Sequence, residues 1–284
     1  MIAITGANGN LGRLVVKGLL QSVPASQIVA AVRSPEKADA LRALGAQIRE
    51  ADYDRPETLV EAFKGVEKLL LISAVQPGER FRQHRAVIDA ARQTGVKLIA
   101  YTSLLRADTS NLILADEHNR TEAYLKATGV NFVVLRNGWY LENHTSGLAA
   151  ALANSAITGS AGQGRFASAS RADYADAAVT VLTQPGHANQ TYELAGDEAY
   201  SLAELAEEVS KQAARTIVYN HLSAADYEAA LLGFGLPKMI ADVVVDADLK
   251  ASAGELDSAS RDLSRLLRRS TTTLVQAIKV ALRS

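Results

Sequence analysis

Through the first half of the chain, short aliphatic runs alternate with longer stretches whose apolar positions recur at helical spacing. Ile2–Thr5 is an apolar run ended by Gly6. Leu11–Gln21 follows, with Leu11, Leu14, Val15, Gly18 and Leu19 on one helical face. The pattern predicts further strands at Ile28–Val32, Gln47–Glu50, Lys68–Ser73, Lys97–Tyr101 and Asn131–Leu135. Helices are expected from Ser34 onward and over Arg55–Lys64, Glu79–Thr94 and Asp116–Thr128. Ser34 is a candidate cap with Pro35 at the first helical position, while Gly95 and Gly129 close the later helices. The strand runs lack polar alternation, as strands buried on both faces should. Strands alternating with helices predict an α/β fold with a parallel sheet.

After Arg136 the rhythm changes. Gly159–Gly164 is a small-residue loop, Arg171–Thr183 a helix and Thr191–Leu194 a strand. Ser201 and Glu204 form a capping box at the head of a helix over Ser201–Gln212. Thr216–Tyr219 reads as a strand. Helices follow at Ala224–Leu232, around Pro237–Val245, at Ser258–Leu267 and at Thr273–Leu282. The expected division is 1–136 and 137–284, with a soft boundary that lets later strands return to the main sheet. The acidic pairs Glu207-Glu208 and Asp246/Asp248 read as solvated helix faces or caps.

Composition narrows the function. Thirty Lys+Arg against 31 Asp+Glu leave a formal charge of -1, with no surplus to coat a nucleic acid. The chain has no cysteine, which excludes disulfides, zinc-thiolate sites, iron–sulfur clusters and cysteine nucleophiles. No basic leader precedes MIAITGANGNLG, and no apolar run approaches the roughly 20 residues of a membrane span. A soluble cytoplasmic protein is expected. The five histidines lack metal-binding spacing, and no GxSxG elbow is present, so no metal site is expected.

Gly6-Ala7-Asn8-Gly9-Asn10-Leu11-Gly12 is GxxGxxG between the first strand and the first helix. Glycines there permit a sharp turn and close approach to a pyrophosphate, and the helix N-terminus supplies N–H donors. The alternative is a purely structural turn. At the end of the second strand stands Arg33, where an acid would select NAD through its ribose hydroxyls. An arginine there pairs with a 2′-phosphate and favours NADPH, unless it is only a solvated charge at a helix start.

With these features the sequence resembles the NmrA-like, atypical short-chain dehydrogenase/reductase family. The carrying residues are Gly6–Gly12, Arg33, Ala51–Tyr53, Leu70–Ser73, Ile99–Ser103 and Leu135–Tyr140. Segments such as LADEH, LRNGWY and ASASRADYA look closest to the family's bacterial NAD(P)H:quinone oxidoreductases, with triphenylmethane-dye reductases as near relatives. The resemblance implies a Rossmann-type doubly wound parallel sheet, an NADP-binding domain, and a smaller, mostly helical C-terminal lobe over the nicotinamide. It implies pyrophosphate contacts at Gly6, Ala7, Asn8, Gly9, Asn10 and Leu11, and the 2′-phosphate on Arg33. Asp52 and Tyr53 would lie near adenine, and Ser73, Ala74 and Val75 beneath the riboses. Asn137, Gly138, Trp139, Tyr140, Leu141 and Glu142 would line the nicotinamide end, with Arg171 reaching in from the smaller lobe.

The Tyr-x-x-x-Lys pair of typical short-chain dehydrogenases is missing. His118 and Glu122 stand at that spacing, and Ser103 matches the usual serine. His118 is the candidate catalytic residue, as a proton shuttle; the alternative is that His118 and Glu122 form a hydrogen-bonded pair on the helix. A quinone needs no dedicated acid, because its hydroquinone anion can take a proton from water. Trp139 and Tyr140 either stack on a flat quinone or pack the protein's own lobes. The expected activity is NADPH-dependent quinone reduction by direct hydride transfer, without flavin. The alternatives are reduction of triarylmethane dyes or other flat electrophiles, or a non-enzymatic NADP(H)-binding redox sensor. The expected partner is a small-molecule quinone, with no nucleic acid and no membrane, for a chain acting as monomer or homodimer.

Overall fold

The computed structural model describes residues 1–283. The chain opens with β1 (Ile2–Ile4), α1 (Asn10–Leu19), β2 (Ile28–Val32), a short α2 (Asp39–Ala43) and β3 (Gln47–Glu50). It continues with α3 (Pro56–Ala62), β4 (Lys68–Leu71), α4 (Arg80–Gln93), β5 (Leu98–Leu104), α5 (Ala115–Ala127) and β6 (Asn131–Asn137). Then come α6 (Leu141–Thr145), α7 (Leu148–Asn154), β7 (Ala156–Gly159) and β8 (Arg165–Phe166), followed by α8 (Arg171–Thr183) and β9 (Gln190–Leu194). The remainder holds β10 (Tyr200–Ser201), α9 (Leu202–Ala213), β11 (Val218–His221), α10 (Ala224–Gly233), α11 (Lys238–Ser252), α12 (Asp262–Leu267) and α13 (Leu274–Ala281). Among the described residues, no helix is long and apolar enough to cross a membrane.

Two compact units result. The first comprises Met1–Asp108, Asp116–Asn137 and Arg171–Glu193; the second comprises Thr109–Ala115, Gly138–Ser170 and the chain from Leu194 onward. The units are thus not two consecutive halves, because α8 and most of β9 belong to the first.

The first unit is built on a seven-stranded sheet in the order β3-β2-β1-β4-β5-β6-β9. Strands β1 to β6 pair in parallel. The Asn189 N–H reaches Phe132 O at one end of β9 and the Gly138 N–H reaches Leu194 O at the other, so β9 runs the same way as β6. One face carries Ala3, Val29, Ala31, Leu69, Leu71, Ile99 and Tyr101, packed with Leu59 of α3 and Phe63 just after it, Val87 and Ile88 of α4 and Leu125 of α5. The alternate residues Ile4, Ile28, Ala30, Val32, Leu70 and Ala100 are also fully or almost fully buried, and α1 and α8 lie on the strands from that side. A Cβ on Gly18 would meet Val179 Cγ2 at 2.9 Å, so α1 and α8 approach closely there. Both sheet faces are covered, which is why the strand sequences show no polar alternation.

The second unit is mostly helical. Two small sheets pair β8 with β10 antiparallel and β7 with β11 in parallel. The Ser201–Glu204 capping box forms as expected. Four expectations need correction. Ser34 makes no side-chain cap; Pro35–Lys37 is a single 3-10 turn before α2. Helix α11 does not end near Val245 but runs on to Ser252, while Ser258–Arg261 lies outside α12. Asp248 is not solvated. It is 3% exposed, and its carboxylate accepts the Ser160 N–H at 2.7 Å.

Candidate active site

In a parallel sheet all carboxyl ends share one edge, and a crevice opens where neighbouring strands send their chains in opposite directions. Here β1 leads to β2 on one side, while β4 lies on its other side. The loops after β1 and β4 therefore flank that point. They touch: the Thr5 hydroxyl donates to Leu70 O at 3.2 Å and accepts the Ile72 N–H at 3.0 Å.

The first loop is shaped by two glycines for different reasons. Gly6 has φ +57°, the left-handed region that disfavours a Cβ. Gly12 has no room: an added Cβ would sit 2.5 Å from Gly6 O and 2.6 Å from Ala7 Cα. Gly9 has φ −76° and ψ 171°, extended backbone open to any residue, so the sharp turn does not depend on its being glycine. Gly9 and Asn10 are exposed while Ala7 and Leu11 are buried, which turns the loop's backbone outward. The Asn8 amide ties the loop to Lys37 O, and its oxygen accepts from Arg13. Helix α1 begins with no side-chain cap and no acidic residue in its first turn. Its leading N–H groups lack intrahelical acceptors, as at any helix start. An uncapped helix start behind an exposed glycine loop suits a pyrophosphate.

Arg33 follows β2 and is exposed. Among the described residues it makes no hydrogen bond or ion pair, although its charge helps hold Asp54 below the usual carboxylate range, behind Arg82 and Gln83. It is a cation available to an anionic ligand. Asp52 serves the local turn instead, accepting the Asp54 N–H at 3.0 Å and Arg55 Nε at 3.4 Å. The Tyr53 hydroxyl donates to Ile72 O at 3.1 Å, and burial pushes the phenol well above its ordinary value. The phosphate loop, the cationic end of β2 and the β4 loop together fit a dinucleotide carrying an extra phosphate.

Ser73, Ala74 and Val75 form the loop after β4, and its shape is fixed by residues that the sequence pattern did not single out. The Ser73 N–H donates to the Thr102 hydroxyl at 2.9 Å, and Arg80 Nε donates to Ala74 O at 2.9 Å. The Ala74 N–H donates to His84 Nε2 at 2.9 Å. Glu117 of α5 accepts the Gly78 and Phe81 N–H groups and pairs with Arg80 at 3.1 Å, capping α4 from another helix. Val75 is left 85% exposed. The available signal was the stripe Arg80, His84, Val87, Ile88 and Ala91 along α4. Two polar residues in a buried stripe must find partners.

His118 and Glu122 are not each other's partners. His118 Nδ1 lies 2.6 Å from the Tyr101 hydroxyl. Burial holds this imidazole well below its ordinary value, reinforced by Arg80 and His84. Burial thus favours the neutral form of this imidazole. Glu122 accepts from Ser103 at 2.6 Å, from Arg136 Nε at 2.9 Å and Nη2 at 2.8 Å, and from Lys126 at 3.2 Å. Ser103 thus turns to Glu122. Arg136 also donates to Asp108 and Glu193. Burial pulls its guanidinium down, but the bonds to Glu122 and Glu193 outweigh that and keep it charged.

The remaining expected residues divide between the units. Asn137 ends β6 in the first unit, buried, its carbonyl accepting the Leu105 N–H. Arg171 opens α8 in the same unit. Gly138, Trp139, Tyr140, Leu141 and Glu142 belong to the second unit. There the Trp139 carbonyl accepts the Ala169 N–H, the Leu141 N–H donates to Ala169 O, and Tyr140 precedes α6.

Known proteins resemble this arrangement throughout. The pattern of the NAD(P)H-binding family matches residues 6–185. Quinone oxidoreductase 2 of Escherichia coli K12 is 52% identical over 98% of this chain and 97% of its own length. The crystal structure of the Escherichia coli NADPH-dependent quinone oxidoreductase with NADPH superposes with a TM-score of 0.96, at 51% identity, covering 99% of this chain and all of that one. The Citrobacter sp. triphenylmethane reductase bound to NADP(H) gives 0.95 at 39% identity, covering 99% of this chain and 100% of that one. An NmrA-like family domain-containing oxidoreductase of Aspergillus flavus is 30% identical over 79% of this chain and 75% of its own. With glycine loop, switch-point crevice and sequence in agreement along nearly its whole length, this chain belongs to the NAD(P)H-binding family, among its NmrA-like oxidoreductases.

Proposed function

We propose that the chain is an NADPH-dependent quinone oxidoreductase that passes a hydride directly to the quinone without flavin. The observation that carries the reading is the 52% identity to a quinone oxidoreductase along 98% of the chain. When bound, NADPH supplies the hydride from its nicotinamide ring. The chain supplies position and electrostatics. Gly6, Ala7, Asn8, Gly9, Asn10 and Leu11 receive the pyrophosphate on backbone N–H groups, and Arg33 meets the 2′-phosphate. Asp52 and Tyr53 border the adenine, and Ser73, Ala74 and Val75 support the riboses. Asn137 to Glu142 and Arg171 serve the nicotinamide and substrate end, where Trp139 and Tyr140 offer flat faces to a quinone. The substrate is a small-molecule quinone, met in the cytoplasm by a monomer or homodimer.

The decisive assay follows the loss of NADPH absorbance with benzoquinone or menadione. Turnover is the expected result; tight NADPH binding without turnover on any quinone would instead mark a sensor. Flat cationic dyes are the second acceptor class, favoured by the 39% identity to a triphenylmethane reductase. The same assay with a triarylmethane dye compares the two.

A further inference from the structure

The loop after β4 is open to solvent, yet side chains from two helices hold its backbone. No residue from Ile72 to Glu79 is buried. Burial of its own side chains therefore does not fix this loop, and segments with so few buried contacts ordinarily open easily. Two buried residues of α4 fix it instead. Arg80 and His84 stand one helical turn apart on the same face. A backbone N–H can only donate, so His84 Nε2 is the acceptor for Ala74 N–H at 2.9 Å, while Arg80 Nε donates to Ala74 O at 2.9 Å. The peptide groups on both sides of this one alanine are thus taken. The two side chains are held in turn by α5. His84 Nδ1 meets the Thr121 hydroxyl at 3.1 Å, and Arg80 Nη1 pairs with Glu117 at 3.1 Å. Glu117 also accepts the Gly78 N–H at 3.0 Å, at the far end of the loop. At the near end the Ile72 N–H is bonded to Thr5, and a Cβ added to Gly6 would lie 3.7 Å from Ile72 Cβ. The loop therefore starts against the glycine turn.

We propose that Arg80, His84 and Glu117 are positioning residues for NADPH: they hold the Ser73–Val75 loop, before the cofactor arrives, in the shape that supports its riboses. This rests on the reading that places those three loop residues beneath the riboses. A buried ion pair adds little net stability, and well-packed apolar side chains of similar volume would serve stability as well. Here the buried polar groups are directed at one alanine of an exposed loop, where order matters to a ligand. A loop ordered in advance spares the complex the entropy of ordering it on binding. None of the three residues needs to touch the cofactor; each acts through Ala74 or Gly78.

Amide NMR and cofactor binding on the full chain test this. Adding NADPH to the wild type should shift the Ser73, Ala74 and Val75 amide signals. If they stay still, the loop lies outside the cofactor site, and the placement and the proposal both fall. Hydrogen exchange at the Ala74 amide of the cofactor-free protein should be about 10-fold faster in His84→Leu, which removes its acceptor. The NADPH Kd, read by fluorescence, should rise about 10-fold in the same variant, since the loop must then be ordered on binding. Arg80→Lys keeps a charge beside Glu117 but takes the donor away from Ala74 O, and should lose about 3-fold, one modest hydrogen bond. His84→Gln, whose amide oxygen reaches the place of Nε2, should recover most of the loss. With menadione as acceptor, the KM for NADPH should rise in step with Kd. A merely structural role would shrink the folded fraction instead, lowering kcat and leaving KM where it is. Wild-type NADPH affinity in both His84→Leu and Arg80→Lys, with the loop amides shifting normally, would overturn the proposal. So would a loss in His84→Gln as large as that in His84→Leu. If His84→Leu does not fold, Arg80→Lys decides through its affinity alone. The binding measurements need no quinone, so they read the same if the chain reduces another acceptor.

Discussion

At the residue scale, Arg33 is an exposed cation that makes no ion pair among the described residues, and the proposed cofactor choice turns on it. Arg33→Asp replaces a charge-assisted contact to a 2′-phosphate by a repulsion. NADPH binding should weaken by about 2–3 kcal/mol, the value of a hydrogen bond to a charged group, while NADH binding changes little. Fluorescence titration of both cofactors reads this directly, and an unchanged NADPH/NADH ratio would remove Arg33 from the site. This residue and the glycine loop were legible in the sequence because both act through local features, a strand end and a turn. Tyr101, His84 and Glu117 were not. Their partners lie 17, 10 and about 40 residues away along the chain, and only the packing of α4 and α5 on β5 brings them together.

At the scale of single elements, the start of α1 shows how one motif hides two requirements. A Cβ at Gly12 would press on backbone atoms of Gly6 and Ala7, whereas one at Gly9 would meet only Gly6 O at 3.2 Å. Gly12→Ala should therefore push α1 off the loop. It should cost about 1–3 kcal/mol of stability, as overpacking does, and weaken NADPH binding as well. Gly9→Ala should leave the urea midpoint nearly unchanged, so any loss of NADPH affinity there reports on the ligand alone. Equal destabilisation of both variants would contradict this geometry. Elements of four or more residues in the main sheet were placed within a few residues of their true bounds. Strands β7, β8 and β10 and helices α6 and α7, all short and outside the regular strand–helix alternation of the first half, were missed. The end of α11 was missed for another reason. Asp248 reads as a solvated face or cap in sequence, yet here it turns inward to a backbone N–H and the helix continues.

Across the whole molecule, buried ionisable groups set the response to acid. His84 is held at about 3, by burial and then by Arg80, and His144 at about 4, by burial. Both are neutral in the folded chain but protonate near their usual value of 6.5 when unfolded. They add stability above that value, and it is lost as pH falls toward about 4 and about 3. Asp248 works in reverse. Burial lifts it to about 6 from 3.8, so its contribution is fullest below 3.8 and is lost as pH rises through about 6. The histidines outweigh it, so urea midpoints should fall steadily from about pH 6.5 to about pH 4. Asp248→Asn should gain on the wild type by about 2–3 kcal/mol between about pH 4 and about pH 7, one shifted carboxyl's worth. A pH-independent gap between the two would show that Asp248 is not buried as described.

The first unit is assembled from segments that leave the ribosome at separate times. Strands β1 to β6 are complete at Asn137, but the helix that lies against α1 begins only at Arg171, after the chain has detoured through part of the second unit. At synthesis rates of about 5–20 residues per second, that delay is on the order of several seconds. Throughout it the surface around Gly18, later sealed by Val179, stays uncovered. The nascent sheet must wait with an apolar flank open, which makes this interval the stage of biogenesis at which a holding chaperone has most to protect.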